Sequence, residues 1–159
     1  MPTVQLTQMQ IETCIAEAKQ RTDSHALHNK KDQFYCTDEQ RIIYDQIGVC
    51  AEFAVAIYLG LEWTGQEKHT DLGDVSGFEV RATQRKKVND YHLVVRGKDK
   101  GNIYILCIVD LENNLVVIAG WETAATVRTK GVLTYPDTEG YALPRTQLNH
   151  ILDLQRDAP

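Results

Sequence analysis

Apolar residues recur at helical spacing in the first part of the chain and alternate at strand spacing beyond about residue 70. Ile11, Cys14, Ile15 and Ala18 lie three and four residues apart, which predicts a helix from about Leu6 to Lys19. The polar stretch from Gln20 to Cys36 carries no readable pattern. Thr37-Asp38-Glu39-Gln40 has the composition of a capping box, in which the threonine hydroxyl accepts from the Gln40 amide while the glutamine reaches back. A second helix is expected from there to Leu59, with a bend at Gly48, an apolar face of Ala51, Ala54, Val55 and Tyr58, and Gly60 as its C-cap. Short β-rich segments follow at Val75, Phe78–Ala82, Tyr91–Val95, Ile103–Val109 and Leu115–Ala119, the last after a Glu112-Asn113-Asn114 turn. A short helix over Trp121–Val127 and a closing helix over Pro144–Leu154, with Leu148, Ile151, Leu152 and Leu154 inward, complete the pattern. Helices followed by a run of mostly antiparallel strands predict an α+β fold. Residues 1–36 would pack on a core formed by residues 37–159, within one domain.

Composition narrows the class. At 159 residues, with 43% hydrophobic and 25% charged positions, the chain can bury one ordinary core, which excludes wholesale disorder. No uncharged apolar run approaches the roughly 18 residues of a membrane helix, and the first residues lack a basic-then-apolar layout. A cytoplasmic protein without membrane attachment is the expectation. Cys14, Cys36, Cys50 and Cys107 form no C-x-x-C pair and read as reduced core thiols, which argues against structural zinc. The formal charge of −5 argues against a general nucleic-acid coat. Its distribution is uneven: residues 81–100 hold seven Lys and Arg against Asp90 and Asp99, a local +5 on an acidic body. Such a patch suits a local anionic ligand.

The chemistry concentrates in Asp74-Val75-Ser76-Gly77-Phe78-Glu79-Val80-Arg81. Ser76-Gly77 suits a two-residue hairpin turn, glycine supplying the positive φ. Val75 would then pair with Phe78, and Asp74 would face Glu79, with Arg81 and Thr83 on the same side. Opposed carboxylates repel by a few tenths of a kcal/mol up to ~1, so a compensating cation is expected. Two routes are open: a hard divalent metal held by oxygen ligands, or the Arg81 guanidinium itself. Glu52 lies in the small, apolar run Gly48–Ala56, and a glutamate there needs a partner, either a metal or a cation such as Arg81.

Glu52 on a helix, followed by Asp74-x4-Glu79-x-Arg81 on a hairpin, resembles the PD-(D/E)XK nuclease superfamily, and more closely its small phage-encoded members. The matching pieces are Gly48, Glu52 and Ala54-Val55-Ala56; Gly73-Asp74-Val75; Glu79-Val80-Arg81; Gly120-Trp121; and Leu143-Pro144 to Leu148, together spanning about residues 40–150. The resemblance implies a restriction-endonuclease-like core, a mixed and mostly antiparallel sheet flanked by helices. It implies Mg²⁺ or Mn²⁺ bound by Asp74 and Glu79 with Glu52 completing or supporting the site, DNA as partner, and the host cytoplasm as location. Double-strand cleavage by so small a domain would imply a homodimer. The superfamily's lysine aligns with Arg81, a departure, since arginine stays protonated and clamps phosphate but cannot act as a base. Arg85, Lys86 and Lys87, with Thr83, would meet the DNA backbone, Lys86 or Lys87 moving into the lysine's role.

Two other readings carry weight. The chain would be a nuclease-like fold without catalysis that binds nucleic acid or a host protein, which Arg81 in the lysine position favours. Or it would be a structural or inhibitory phage protein whose acids merely neutralise Arg81. His25, His28, His69, His92 and His150 form no metal-ligand spacing, and no Walker, dinucleotide or G-x-S-x-G motif is present.

Overall fold

The computed structural model describes residues 1–27, 37–63, 65 and 74–156. Strand β1 (Thr3–Gln5) and helices α1 (Gln8–Leu27) and α2 (Asp38–Leu59) precede strands β2 (Phe78–Gln84), β3 (His92–Val95), β4 (Ile103–Asp110) and β5 (Leu115–Thr123). Helix α3 (Ala124–Lys130), strands β6 (Val132–Tyr135) and β7 (Gly140–Pro144), and helix α4 (Ile151–Arg156) follow, with single 3₁₀ turns at Pro136–Thr138 and Arg145–Gln147. The strands form a four-stranded sheet in the order β1-β5-β4-β2 and a three-stranded sheet in the order β3-β7-β6. All pairings are antiparallel except β2 with β4, so the sheets are mixed and mostly antiparallel, and the class is α+β.

Period-two alternation sorts the larger sheet into two faces. Val80, Ile105, Cys107, Val109, Val116 and Ile118 pack against Cys14 and Ala18 of α1, the small residues of α2, and Ile151 and Leu154 of α4. Tyr104, Leu106 and Ile108 point the other way, onto Leu93, Val95, Leu143, Ala124 and Val127. Helices cover one face and the smaller sheet with α3 covers the other. Because β4 is covered on both sides, its run Tyr104–Val109 is buried without interruption, which explains why its sequence is continuously apolar.

The start of α2 follows its sequence signal. Thr37 Oγ1 accepts from the Gln40 amide at 3.2 Å, and Gln40 Oε1 accepts from the Thr37 amide at 3.0 Å. Its end does too: Gly60 sits at φ 68°, a left-handed conformation open to glycine at little steric cost. By length and composition α2 is apolar enough to cross a bilayer, but its Val49, Ala51, Ala54 and Val55 are fully buried against the sheet and α1.

Several elements differ from expectation. The first helix continues past Lys19 to Leu27, and its Ile15 is 45% exposed rather than inward. Trp121 and Glu122 belong to β5, because they pair with Ile105 and Tyr104 of β4. The helix expected over Trp121–Val127 therefore begins only at Ala124, capped by Thr123 Oγ1. The closing helix over Pro144–Leu154 is also shorter. Pro144 ends β7, Asn149 bridges to Trp121, and α4 begins at Ile151 with Leu152 exposed. Strands β1, β6 and β7 are additional to the expected elements, being short or, in β6, exposed throughout. Cys14, Cys50 and Cys107 are buried free thiols, as expected, while Cys36, His28, His69 and Gly73 lie outside the described residues.

Candidate functional site at the edge of the sheet

Strand β2 is one of the two edges of the larger sheet among the described residues, and the hairpin that leads into it fixes the candidate residues. Val75 and Phe78 bridge as expected across Ser76-Gly77, but both turn residues take positive φ, 44° and 91°, as a type I′ turn requires. The Phe78 carbonyl accepts from both the Asp74 and Val75 amides, at 2.9 and 3.0 Å. Two residues thus oppose one, and Asp74 slips out of the position facing Glu79 that simple alternation predicts. Its Oδ2 instead accepts from the Val80 amide at 2.8 Å, which satisfies a donor on the open edge of β2.

Glu79, Arg81 and Thr83 share the face of β2 that continues Tyr104, Leu106 and Ile108 of β4. Glu79 is half-buried and its side chain lies over Gly101, where a Cβ would overlap Glu79 Cγ. No hydrogen bond reaches its carboxylate among the described residues. Burial pushes its carboxyl above the usual range, Asp74 pushes it further, Arg81 opposes, and Asp99 and Glu52 add to the rise.

Arg81 is committed elsewhere. Its Nη2 donates to Asp99 Oδ2 at 2.8 Å, its guanidinium lies 5.1 Å from the centre of the Tyr104 ring, and its Nε is buried without a partner. Asp99 is fixed in turn: the same Oδ2 accepts from the Arg96 amide, and Arg128 donates to the carbonyls of Arg96 and Asp99 at 2.9 and 2.7 Å.

Glu52 has the cation partner that its burial demands, but that cation is Arg21 and not Arg81. Arg21 of α1 clamps it bidentately, Nη1 to Oε1 and Nη2 to Oε2, both at 2.8 Å, while also reaching Glu17 and the Gly65 carbonyl. Burial raises the Glu52 carboxyl, Arg21 pulls it down, and Asp74 raises it again. Neither Arg81 nor a metal is needed to hold this glutamate.

The basic run separates by role. Arg85 pairs with Asp110 at 3.0 Å and is largely exposed, and Lys87 is exposed. Lys86, with Arg81 and Thr83, lines a groove of about 280 Å³ between β2, the loop before β3, and Tyr135 of β6. The Lys86 amide donates to Tyr91 Oη at 2.8 Å, which anchors that loop.

Thus Glu52, Asp74, Glu79 and Arg81 do converge electrostatically, but through partners the sequence reading missed: Arg21 and Asp99. Arg21 continues the Cys14, Ala18 spacing by three residues and stands four after Glu17, but it lies past the expected end of the helix at Lys19. Asp99 sits among basic residues with no local pattern to mark it. Among the described residues no three His, Cys, Asp or Glu side chains form a group that would hold a metal ion. No protein family, curated protein or solved structure matches this chain.

Proposed function

We propose that the chain is a metal-dependent DNA nuclease with a restriction-endonuclease-like core, in which Asp74 and Glu79 hold Mg²⁺ or Mn²⁺. The observation that carries this reading is a contrast in pairing. Glu52 is paired with Arg21 and Asp99 with Arg81, while the charge of Asp74 raises the carboxyls of both Glu52 and Glu79. Asp74 and Glu79 form no ion pair among the described residues. Among the described residues, one oxygen of Asp74 is engaged by the Val80 amide and the other is not, and the Glu79 carboxylate accepts no hydrogen bond, a donor set of the kind Mg²⁺ accepts with waters and a substrate phosphate. A metal bound there would supply an activated water and neutralise charge on the phosphate.

The protein's own residues supply the rest. Glu79 must be deprotonated to bind a cation, and its raised pKa makes that occupancy fall as the medium is acidified. Arg81, held by Asp99 and Tyr104, presents a fixed cation to a phosphate oxygen but takes no proton. Glu52, clamped by Arg21, fixes α2 against α1 behind the site. Thr83 and Lys86 extend the same surface toward the substrate backbone.

A second reading, a nuclease-fold protein that binds nucleic acid or a host protein without cutting, is favoured by one observation: both Glu52 oxygens are already engaged by Arg21. Labelled single- and double-stranded DNA incubated with Mg²⁺ or Mn²⁺ separates the two. Cleavage that disappears with EDTA and in an Asp74→Ala/Glu79→Ala variant supports the nuclease. Binding without cutting under either metal supports the second reading.

A further inference from the structure

The groove beside Arg81 has a wall that the acid site does not explain. Strand β6 is the outer edge of the smaller sheet and all four of its residues are exposed, with Val132 at 69% and Tyr135 at 52%. Between Leu133 and Tyr135 the pairing with β7 skips a residue: Leu133 pairs with Tyr141 and Tyr135 with Gly140. Such a bulge re-aims the side chain that follows it. Tyr135 is turned to the side opposite Leu133 and becomes part of the groove lining, with His92, Val94 and Arg96 of the neighbouring segment. Its partner residue matters as well. A Cβ on Gly140 would come within 2.9 Å of Tyr135 Cβ and 3.1 Å of its ring, so glycine there gives the tyrosine the space it occupies. The result is an aromatic side chain, seated on backbone and half open to solvent, at the rim of a groove whose other walls carry Arg81, Lys86 and Arg96 against Asp90.

We propose that this groove receives a single-stranded polynucleotide, one base stacking on the Tyr135 ring and the flanking phosphates meeting Lys86, Arg96 and Arg81. It rests on the nuclease reading only for the direction in which the strand would run, toward Glu79 and Asp74. Cations beside an aromatic platform are the recurring means of holding single strands, because every unpaired base has a face to stack. A duplex offers no such face, its bases being stacked on one another. The groove's volume of about 280 Å³ lies just below the roughly 300 Å³ at which clefts begin to engulf drug-sized ligands, which suits one nucleotide of one strand.

The test is fluorescence anisotropy on the full chain in EDTA, so that cleavage does not enter the readout. The probes are oligo-dT, oligo-rU and a blunt DNA duplex of equal length. The single strand binds more tightly than the duplex, and Tyr135→Ala weakens single-strand binding by roughly 5- to 150-fold, the range expected for one lost base stack. Tyr135→Phe retains wild-type affinity, since it keeps the ring. Lys86→Ala weakens binding and lowers the salt dependence by about one phosphate contact. The dT and rU arms identify which sugar the groove prefers, and tight binding of either supports the proposal. Equal affinity for duplex and single strand, or an unchanged affinity in Tyr135→Ala, overturns it. Failure of the nuclease reading looks different: the single strand is bound in a Tyr135-dependent way but stays uncut when Mg²⁺ or Mn²⁺ is added.

Discussion

Glu52 and Glu79 begin from similar circumstances and end in different ones. Burial raises both carboxyls, and both feel the charge of Asp74. Glu52, on the helical side of the sheet, is gripped by a guanidinium through two parallel hydrogen bonds. Glu79, on the other face and at the sheet edge, has among the described residues only the more distant field of an arginine that Asp99 has already claimed. A buried acid with its own cation is a structural element, whereas a half-buried acid without one, beside a second acid, is suited to an incoming cation. The difference comes from the two arginines, not the two glutamates.

Breaking the paired side gives the largest effect. Arg21→Ala leaves Glu52 buried and uncompensated, and chemical denaturation should show a loss of about 3–5 kcal/mol, the cost of breaking a buried pair by removing one partner. Replacing both, as Arg21→Met/Glu52→Leu, should restore most of that stability, because the desolvation cost of both charges disappears with them. If the double replacement is as unstable as Arg21→Ala alone, the pair is not what the geometry makes it.

Removing the cap of α2 tests a part of the fold remote from either glutamate. Thr37→Ala should cost about 1 kcal/mol by the same denaturation and leave metal response unchanged.

A subtler change blurs the contrast by handing Glu79 a cation. Asp99→Asn keeps the shape of the Arg96–Asp99 turn but removes the charge that holds Arg81. Arg81 is then available to Glu79, and Mg²⁺ should bind several-fold more weakly in calorimetric titration. Binding as tight as wild type would show that the Arg81–Asp99 pair does not keep the acid site open.

The smallest effect is in the pH dependence. A carboxyl whose folded pKa is raised destabilises the fold at pH values above that pKa, and the penalty vanishes below the unfolded value, near 4.5 for glutamate. Glu79→Gln should therefore unfold at a slightly higher temperature than wild type at neutral pH in EDTA. The gap should close as pH falls through the raised Glu79 pKa toward the ordinary glutamate range. A gap that widens on acidification would reverse the assigned direction.

The readable parts of this molecule are those specified locally. The Thr37 cap, the Gly60 stop, the Ser76-Gly77 turn and the unbroken apolar run of β4 all follow from neighbours in sequence. The face shared by Glu79, Arg81 and Thr83 followed from parity alone. What escaped depends on distant chain. Trp121 reads as helical until β4 is placed beside it, and the weak strands β1, β6 and β7 exist because they have partners to pair with. The shared Phe78 carbonyl shifts Asp74 by one position, which alternation has no means to anticipate. Likewise, the charge needs of Glu52 were legible, but its partner on α1 required the packing of two helices. The site residues were thus readable as a set, and their pairing was not.

The most direct test of the central claim is thermal unfolding with and without saturating Mg²⁺, for wild type and for Asp74→Ala/Glu79→Ala. A ligand that binds only the folded state stabilises it by RT ln(1 + [L]/Kd), about 2.7 kcal/mol at a hundredfold excess over Kd. Wild type should show a metal-dependent rise in Tm that is absent in the double variant. No rise in wild type, or an equal rise in both proteins, would contradict a metal site at Asp74 and Glu79.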